Sequence, residues 1–252
     1  GRAQRVVVGI RSAGSARRPY HRGMSRTESQ MIEHTPATPD PLSALLPGRF
    51  LVLDGPDGCG KSTQFSRLSE YCTGLGLGVE EVREPGGTKI GEQIRSLLLD
   101  PANDAMVVRA EMLLYMASRA QLLAERIAPA LDRDRLVLAD RFISSTLAYQ
   151  GTAGGLSPEE IATVGQVVLG GESGRQPDLV VIFDVDGETA ARRRAGDSSR
   201  SHVGEDAANG DRMEQKGLEF QRRVREGYLD QVRRDPDGYL LIDASRDPDV
   251  VF

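Results

Sequence analysis

The stretch Gly55-Pro56-Asp57-Gly58-Cys59-Gly60-Lys61-Ser62 fits G-x-x-x-x-G-K-[ST] and follows the apolar run Phe50-Leu51-Val52-Leu53. Such a loop needs a buried strand to deliver it and a helix to receive it, so that glycines bend the backbone around an anion and amides point at it. Both flanks qualify. Residues 50–53 read as a short buried strand, and 63–71 carry Phe65 and Leu68 at helical spacing without Gly or Pro. Lysine is scarce, occurring only at Lys61, Lys89 and Lys216, which argues against a glycine turn with a stray lysine. The loop is one that wraps the phosphates of a nucleoside triphosphate.

Downstream the pattern alternates. Continuous apolar runs at 50–54, 79–83, 136–140, 179–184 and 239–242 read as strands covered on both faces. Helical spacing separates them at 62–72, 89–99, 106–131, 158–169, 188–195 and 212–234. Strands alternating with helices predict an α/β fold, a P-loop three-layer sandwich with a five-stranded parallel sheet, helices on both faces and a short lid. Ligands bind such sheets at the carboxyl ends of the strands. That is where Asp54, Asp57, Arg83, Glu84, Asp140, Arg141, Asp184 and Asp243 fall.

Charge is unevenly distributed. The first 26 residues hold seven arginines and no acid, and removing them from the net charge of −5 leaves −12 for the remainder. An acidic body argues against nucleic acid as a partner. No apolar run approaches a membrane span. Two cysteines, Cys59 and Cys72, form no disulfide framework or metal spacing, so a reducing, cytoplasmic setting is expected. Residues 1–47, rich in Arg, Ser and Pro, are expected to be a disordered or non-native extension, with Met24 and Met31 as internal starts; an organelle transit peptide is the competing reading. The domain is expected over 48–252, with a lid at about 192–214. A final helix that begins at Asp247-Pro248 is expected to be incomplete.

Phosphoryl transfer requires positioning and charge neutralisation more than covalent chemistry. The backbone of Gly55, Asp57, Gly58, Cys59 and Gly60, with the first helical turn at Lys61, Ser62 and Thr63, forms the candidate triphosphate site. Lys61 is expected on the β- and γ-phosphates and the Ser62 hydroxyl on Mg²⁺. Asp140, leaving a strand end near this loop, suits a metal-bound water, and Arg141 suits a phosphate. A turn accounts for Pro85-Gly86-Gly87 but not for Arg83 and Glu84 facing the crevice. Tyr115 and Arg119 share a helix face. They are either a core aromatic and a solvated charge, or a ring that stacks on a base and an arginine that reads its edge. Arg192-Arg193-Arg194 and the following polar loop suit a lid that closes over a transferring phosphoryl group.

In order and approximate spacing, residues 49–246 resemble the thymidylate kinases of bacteria. The most specific matches are Arg83-Glu84-Pro85-Gly86-Gly87-Thr88 and Asp140-Arg141-Phe142 followed by Ser145-Thr146 and Tyr149-Gln150-Gly151. Arg119-Ala120-Gln121, Pro177-Asp178-Leu179 and Asp211-Arg212-Met213-Glu214 complete the pattern. The resemblance implies phosphorylation of dTMP to dTDP for dTTP synthesis, with ATP and Mg²⁺, by a homodimer. It implies that Asp57 contacts the sugar 3′-hydroxyl, Tyr115 stacks on thymine, Arg119 reaches the base edge and Arg141 the acceptor phosphate. Arg83, Glu84, Ser145, Thr146, Tyr149 and Gln150 would complete the dTMP pocket. With no arginine among Pro56, Asp57, Gly58 and Cys59, the resemblance assigns the catalytic cation to Arg193 or Arg194 in the lid. Three features depart from the family pattern: a long lid, Cys59 at a small-residue position, and the basic N-terminal arm. The rivals are another P-loop nucleoside or nucleotide kinase and a non-metabolic P-loop NTPase. A GTPase would carry an Asn-Lys-x-Asp motif, which is absent.

Overall fold

The computed structural model describes residues 40–170, 174–196, 212–213 and 216–252, except the side chains of 194–196. The expected extension up to residue 39, most of the lid, and Asp211 and Glu214 of the family pattern lie outside the described residues.

In chain order the elements are α1 (Pro41–Leu45), β1 (Phe50–Asp54), α2 (Lys61–Gly74), β2 (Val79–Arg83), α3 (Lys89–Leu99), α4 (Val108–Leu122) and α5 (Ala128–Leu131). Then come β3 (Leu136–Asp140), α6 (Ile143–Thr146), α7 (Pro158–Leu169), β4 (Leu179–Asp184), α8 (Gly187–Gly196), α9 (Gly217–Arg234), β5 (Tyr239–Asp243) and α10 (Pro248–Val251). All five strands pair in parallel, in the order β2-β3-β1-β4-β5. Parallel pairing covers both faces, and the strand side chains divide accordingly. Phe50, Val52, Val82, Val137 and Ala139 pack on one side against Leu122, Phe142, Val224 and Tyr228. Leu136 and Leu138 pack on the other against Cys72 and Phe65. Burying each large side chain contributes about 1.5–3 kcal/mol.

Register aligns the polar strand ends. Leu53 lies beside Asp140, and Arg83 lies beside Asp140 on its other flank. Crossovers from β1 and β3 leave in opposite directions across the sheet, so a crevice opens between these neighbouring strand ends.

Four local features differ from expectation. Residues 40–47, expected outside the domain, pack with it: the Asp40 side chain caps α1, and Leu46 is buried against Cys72, Leu136 and Leu138. The helix expected over 106–131 changes to π-helical form at Leu123–Ile127. The one expected over 212–234 begins at Gly217, where φ is +82°. After α6 a second π-helical segment, Leu147–Ala153, stands where no helix was expected. Ser144, Ser145, Thr146, Gly151 and Thr152 are weak helix formers, and packing against α9 overrides that propensity. The helix suggested at Asp247 is present as the short α10. Among the described residues no helix is long and apolar enough to cross a membrane.

Candidate active site

The chain turns sharply after β1. Gly55 has φ +148°, and a Cβ there would lie 2.5 Å from the Phe183 carbonyl oxygen. Gly58 has φ +86° and passes equally close to the Ala190 carbonyl. Both positions therefore demand glycine. The loop delivers Lys61 to the first position of α2, nearly buried, where its Nζ donates to the Asp140 carboxylate at the end of β3. Ser62 and Thr63 follow on the exposed side of the first turn. Cys59 is buried beneath the loop, and burial pushes its thiol above the ordinary range, so it stays protonated.

Beside the loop stands a network centred on Asp54, which is fully buried. Its carboxylate accepts from the Gly55 amide at 2.9 Å, Ser144 Oγ at 2.6 Å, Ser145 Oγ at 2.8 Å and the Tyr228 hydroxyl at 2.6 Å. Arg141 reaches the same carboxylate at 3.3 Å and Asp57 at 2.5 Å, and its guanidinium lies 5.2 Å from the Tyr149 ring centre. Tyr149 donates to the other Asp57 oxygen at 2.8 Å. Burial pushes the Tyr149 and Tyr228 phenols well above their ordinary pKa, so both remain donors at neutral pH. Arg141 has φ +71°, a left-handed conformation that is strained for a side-chain-bearing residue and persists only where the surroundings enforce it. Here the enforcing groups are Asp54, Asp57, Ser145 and the Gly55 carbonyl.

A second cluster lies one strand away. Strand alternation sends Arg83 and Glu84 in opposite directions. Arg83 pairs with Glu92 at 2.8 Å near the surface. Glu84 turns inward and meets Arg119, with Nε at 2.9 Å and NH2 at 2.5 Å, both side chains almost wholly buried. Burial drives the Glu84 pKa up to about 7, against the opposing pull of Arg119. Arg119 NH1 also donates to Thr146 Oγ1 at 3.1 Å, and its guanidinium lies 5.0 Å from the Phe142 ring centre. Tyr115 lies one turn before Arg119 on α4 and is half-buried. Gln150 donates to Glu111 at 2.7 Å, also from α4. A cleft of about 570 Å³ opens at the ends of β2 and β3, lined by Phe65, Arg83, Thr88, Lys89, Arg126 and Asp140.

Arg193, on α8, donates to the Ala244 carbonyl at 2.8 Å and the Cys59 carbonyl at 3.4 Å, so it touches the phosphate loop from the side of β5. The Arg194 side chain is outside the described residues. The structure therefore brings Asp57, Arg141, Ser145 and Tyr149 into one cluster beside Lys61 and Asp140, and Glu84, Arg119 and Thr146 into another. Arg83 stands apart, tied to Glu92. Sequence reasoning assigned no role to Ser144 or Tyr228 and named Asp54 only as a strand-end acid. Asp54 was legible as a carboxylate next to the loop, but Tyr228 lies 174 positions away on an amphipathic helix with no local signal.

A phosphate loop between β1 and α2 and this strand order define a P-loop protein that binds a nucleoside phosphate, and comparison with known proteins shows its class to be the nucleoside monophosphate kinases. The chain belongs to the thymidylate kinase family: the model described as "Thymidylate kinase" matches residues 53–252. It is similar to the thymidylate kinase of Caldanaerobacter subterraneus subsp. tengcongensis, 41% identical over 200 residues, covering 79% of this chain and 89% of the relative. The thymidylate kinase of Pseudomonas putida is 43% identical over 204 residues, 81% of this chain and 91% of that one. Among solved structures, thymidylate kinase from Ehrlichia chaffeensis superposes with a TM-score of 0.61 at 30% identity, covering 78% of this chain and 93% of that one.

Proposed function

We propose that this enzyme transfers the γ-phosphoryl group of ATP to dTMP, giving dTDP and ADP for dTTP synthesis. The observation that carries this function is the double engagement of Asp57. It belongs to the phosphate loop, yet its two carboxylate oxygens hold Arg141 and Tyr149 of the neighbouring cluster. Donor and acceptor subsites thus share one loop, as transfer between two bound nucleotides requires.

On this account the backbone of Gly55, Asp57, Gly58, Cys59 and Gly60, with Lys61, Ser62 and Thr63, binds ATP. Lys61 exchanges its partner Asp140 for the β- and γ-phosphates. The oxygen donors at the loop fit Mg²⁺: a hydroxyl at Ser62 and a partly exposed carboxylate at Asp140, a hard-ligand pair that suits an ion which keeps most of its water. Bound there, Mg²⁺ neutralises phosphate charge. Arg141 binds the acceptor phosphate and Asp57 the sugar 3′-hydroxyl. Tyr115, Arg119, Ser145, Thr146, Tyr149 and Gln150 form the nucleoside pocket, with Glu84 behind Arg119, while Arg83, first expected there, is held at the surface by Glu92. Arg193, beside the loop, and Arg194 next to it stabilise charge on the transferring group. The acceptor is already a phosphate, so no strong general base is needed. We further propose that the enzyme acts as a cytoplasmic homodimer whose basic N-terminal arm lies outside the catalytic domain.

Chromatography of a reaction with ATP, Mg²⁺ and dTMP is expected to yield dTDP and ADP in equal amounts, and Lys61→Ala is expected to abolish both. ADP without dTDP would mark an NTPase instead. Wild-type turnover in the Lys61 variant would remove the loop from the mechanism.

A further inference from the structure

Glu111 is almost completely buried on α4, yet it carries three polar partners from distant parts of the chain. Arg212 NH1 lies 2.6 Å away, Lys216 Nζ 3.0 Å away, and Gln150 Nε2 donates at 2.7 Å. Burial pushes the carboxyl pKa up, but the Gln150 hydrogen bond, Lys216 and Arg212 more than offset this and hold it below the ordinary value. Glu111 is therefore ionised at neutral pH.

An ionised carboxylate only accepts hydrogen bonds, whereas an amide donates from nitrogen and accepts at oxygen. Glu111 thereby selects one of the two orientations of the Gln150 amide, nitrogen toward itself and oxygen away. Gln150 is almost completely buried, and its Nε2 bond to Glu111 puts Oε1 on the other side of the amide. Glu111, Tyr115 and Arg119 recur every four residues along α4, on one face. This face is bridged to the segment after β3 at Arg119–Thr146 and again at Glu111–Gln150. The two bridges bracket Tyr115, and Tyr149 beside Gln150 leads back to Asp57.

We propose that Glu111 is a positioning residue for base selection. By holding the nitrogen of Gln150, it leaves a fixed amide oxygen, an acceptor and never a donor, for the base of the incoming monophosphate. A keto pyrimidine presents a ring N–H to such an oxygen; an amino pyrimidine presents a ring nitrogen lone pair, which repels it. Arg212 and Lys216, on the segment that enters α9, keep Glu111 charged and so fix the polarity of the amide. The proposal rests on the assignment of Gln150 to the nucleoside pocket.

Calorimetric binding of dTMP and dCMP to the wild type, Glu111→Gln, Glu111→Asp and Gln150→Ala tests it. Glu111→Gln keeps the shape but offers Gln150 either a donor or an acceptor, which frees its amide to turn. The preference for dTMP over dCMP is expected to fall about tenfold in Glu111→Gln. In Glu111→Asp, which remains an acceptor only, the ratio is expected to stay within about twofold of wild type while both affinities drop. A Glu111 that served stability alone would lower both affinities, or the melting temperature, without moving the ratio, and that result overturns the proposal. An unchanged ratio in Gln150→Ala removes Gln150 from the base site and the proposal with it. A collapsed ratio in Gln150→Ala beside an intact one in Glu111→Gln overturns the role of Glu111 alone. Should Glu111→Gln not fold, a relaxed ratio in Glu111→Asp overturns it equally.

Discussion

Glu84 faces two opposed demands: burial favours its neutral form, while Arg119, against which it packs, favours the carboxylate. Burial prevails, and the pKa stands at about 7 against an ordinary 4.5. The folded state therefore holds this proton more tightly than the unfolded chain. Its contribution to stability is fully present below pH 4.5 and is lost as pH rises through about 7. Urea unfolding from pH 4.5 to 8 is expected to show less of this decline in Glu84→Gln, which cannot ionise, than in wild type; equal slopes would contradict the shift. Residue by residue, the sequence made the phosphate loop and its lysine plain, because the constraint there is local. It left Asp54, Ser144 and Tyr228 without roles, because their hydrogen bonds join β1, α6 and α9, and no spacing pattern records a contact between elements so far apart in the chain. Arg83 and Glu84 read alike as strand-end charges, yet alternation parts them, one to Glu92 at the surface and the other to Arg119 in the core.

Among elements, the five strands were legible to within a residue: β1, β3, β4 and β5 are continuous apolar runs ended by a charge, and the edge strand β2, with Glu80 and Glu81 inside it, was marked by its place in the alternation with helices. The π-helical segment Leu147–Ala153 was not, since its mix of small and polar residues gives no helical period and packing, most of all against α9, sustains it. Such segments recur at functional sites because they re-aim side chains. Here the segment directs Tyr149 to Asp57 and Gln150 to Glu111. Helix α9 reaches the loop through Tyr228, whose hydroxyl touches Asp54, Ser145 and Arg141. Tyr228→Phe keeps the ring packing and removes that donor from a buried carboxylate. It is expected to destabilise the fold by about 1–3 kcal/mol and to raise KM for dTMP several-fold more than KM for ATP. Equal changes in both, or none, would detach α9 from the acceptor side.

At the scale of the whole molecule, the strand order places the loop from β1 and the arginine after β3 side by side, and Asp57 ties them together. With Arg141 assigned to the acceptor phosphate, as proposed above, the acceptor must bring its own negative charge to compete with Asp54 and Asp57 for that guanidinium. That separates a monophosphate kinase from a nucleoside kinase, which would instead need a base for a neutral hydroxyl. The most direct test is a coupled assay of ADP release with dTMP and with thymidine, each in the presence of ATP and Mg²⁺. Turnover with dTMP and none with thymidine is the predicted result; equal turnover with thymidine, or none with dTMP, would contradict the account.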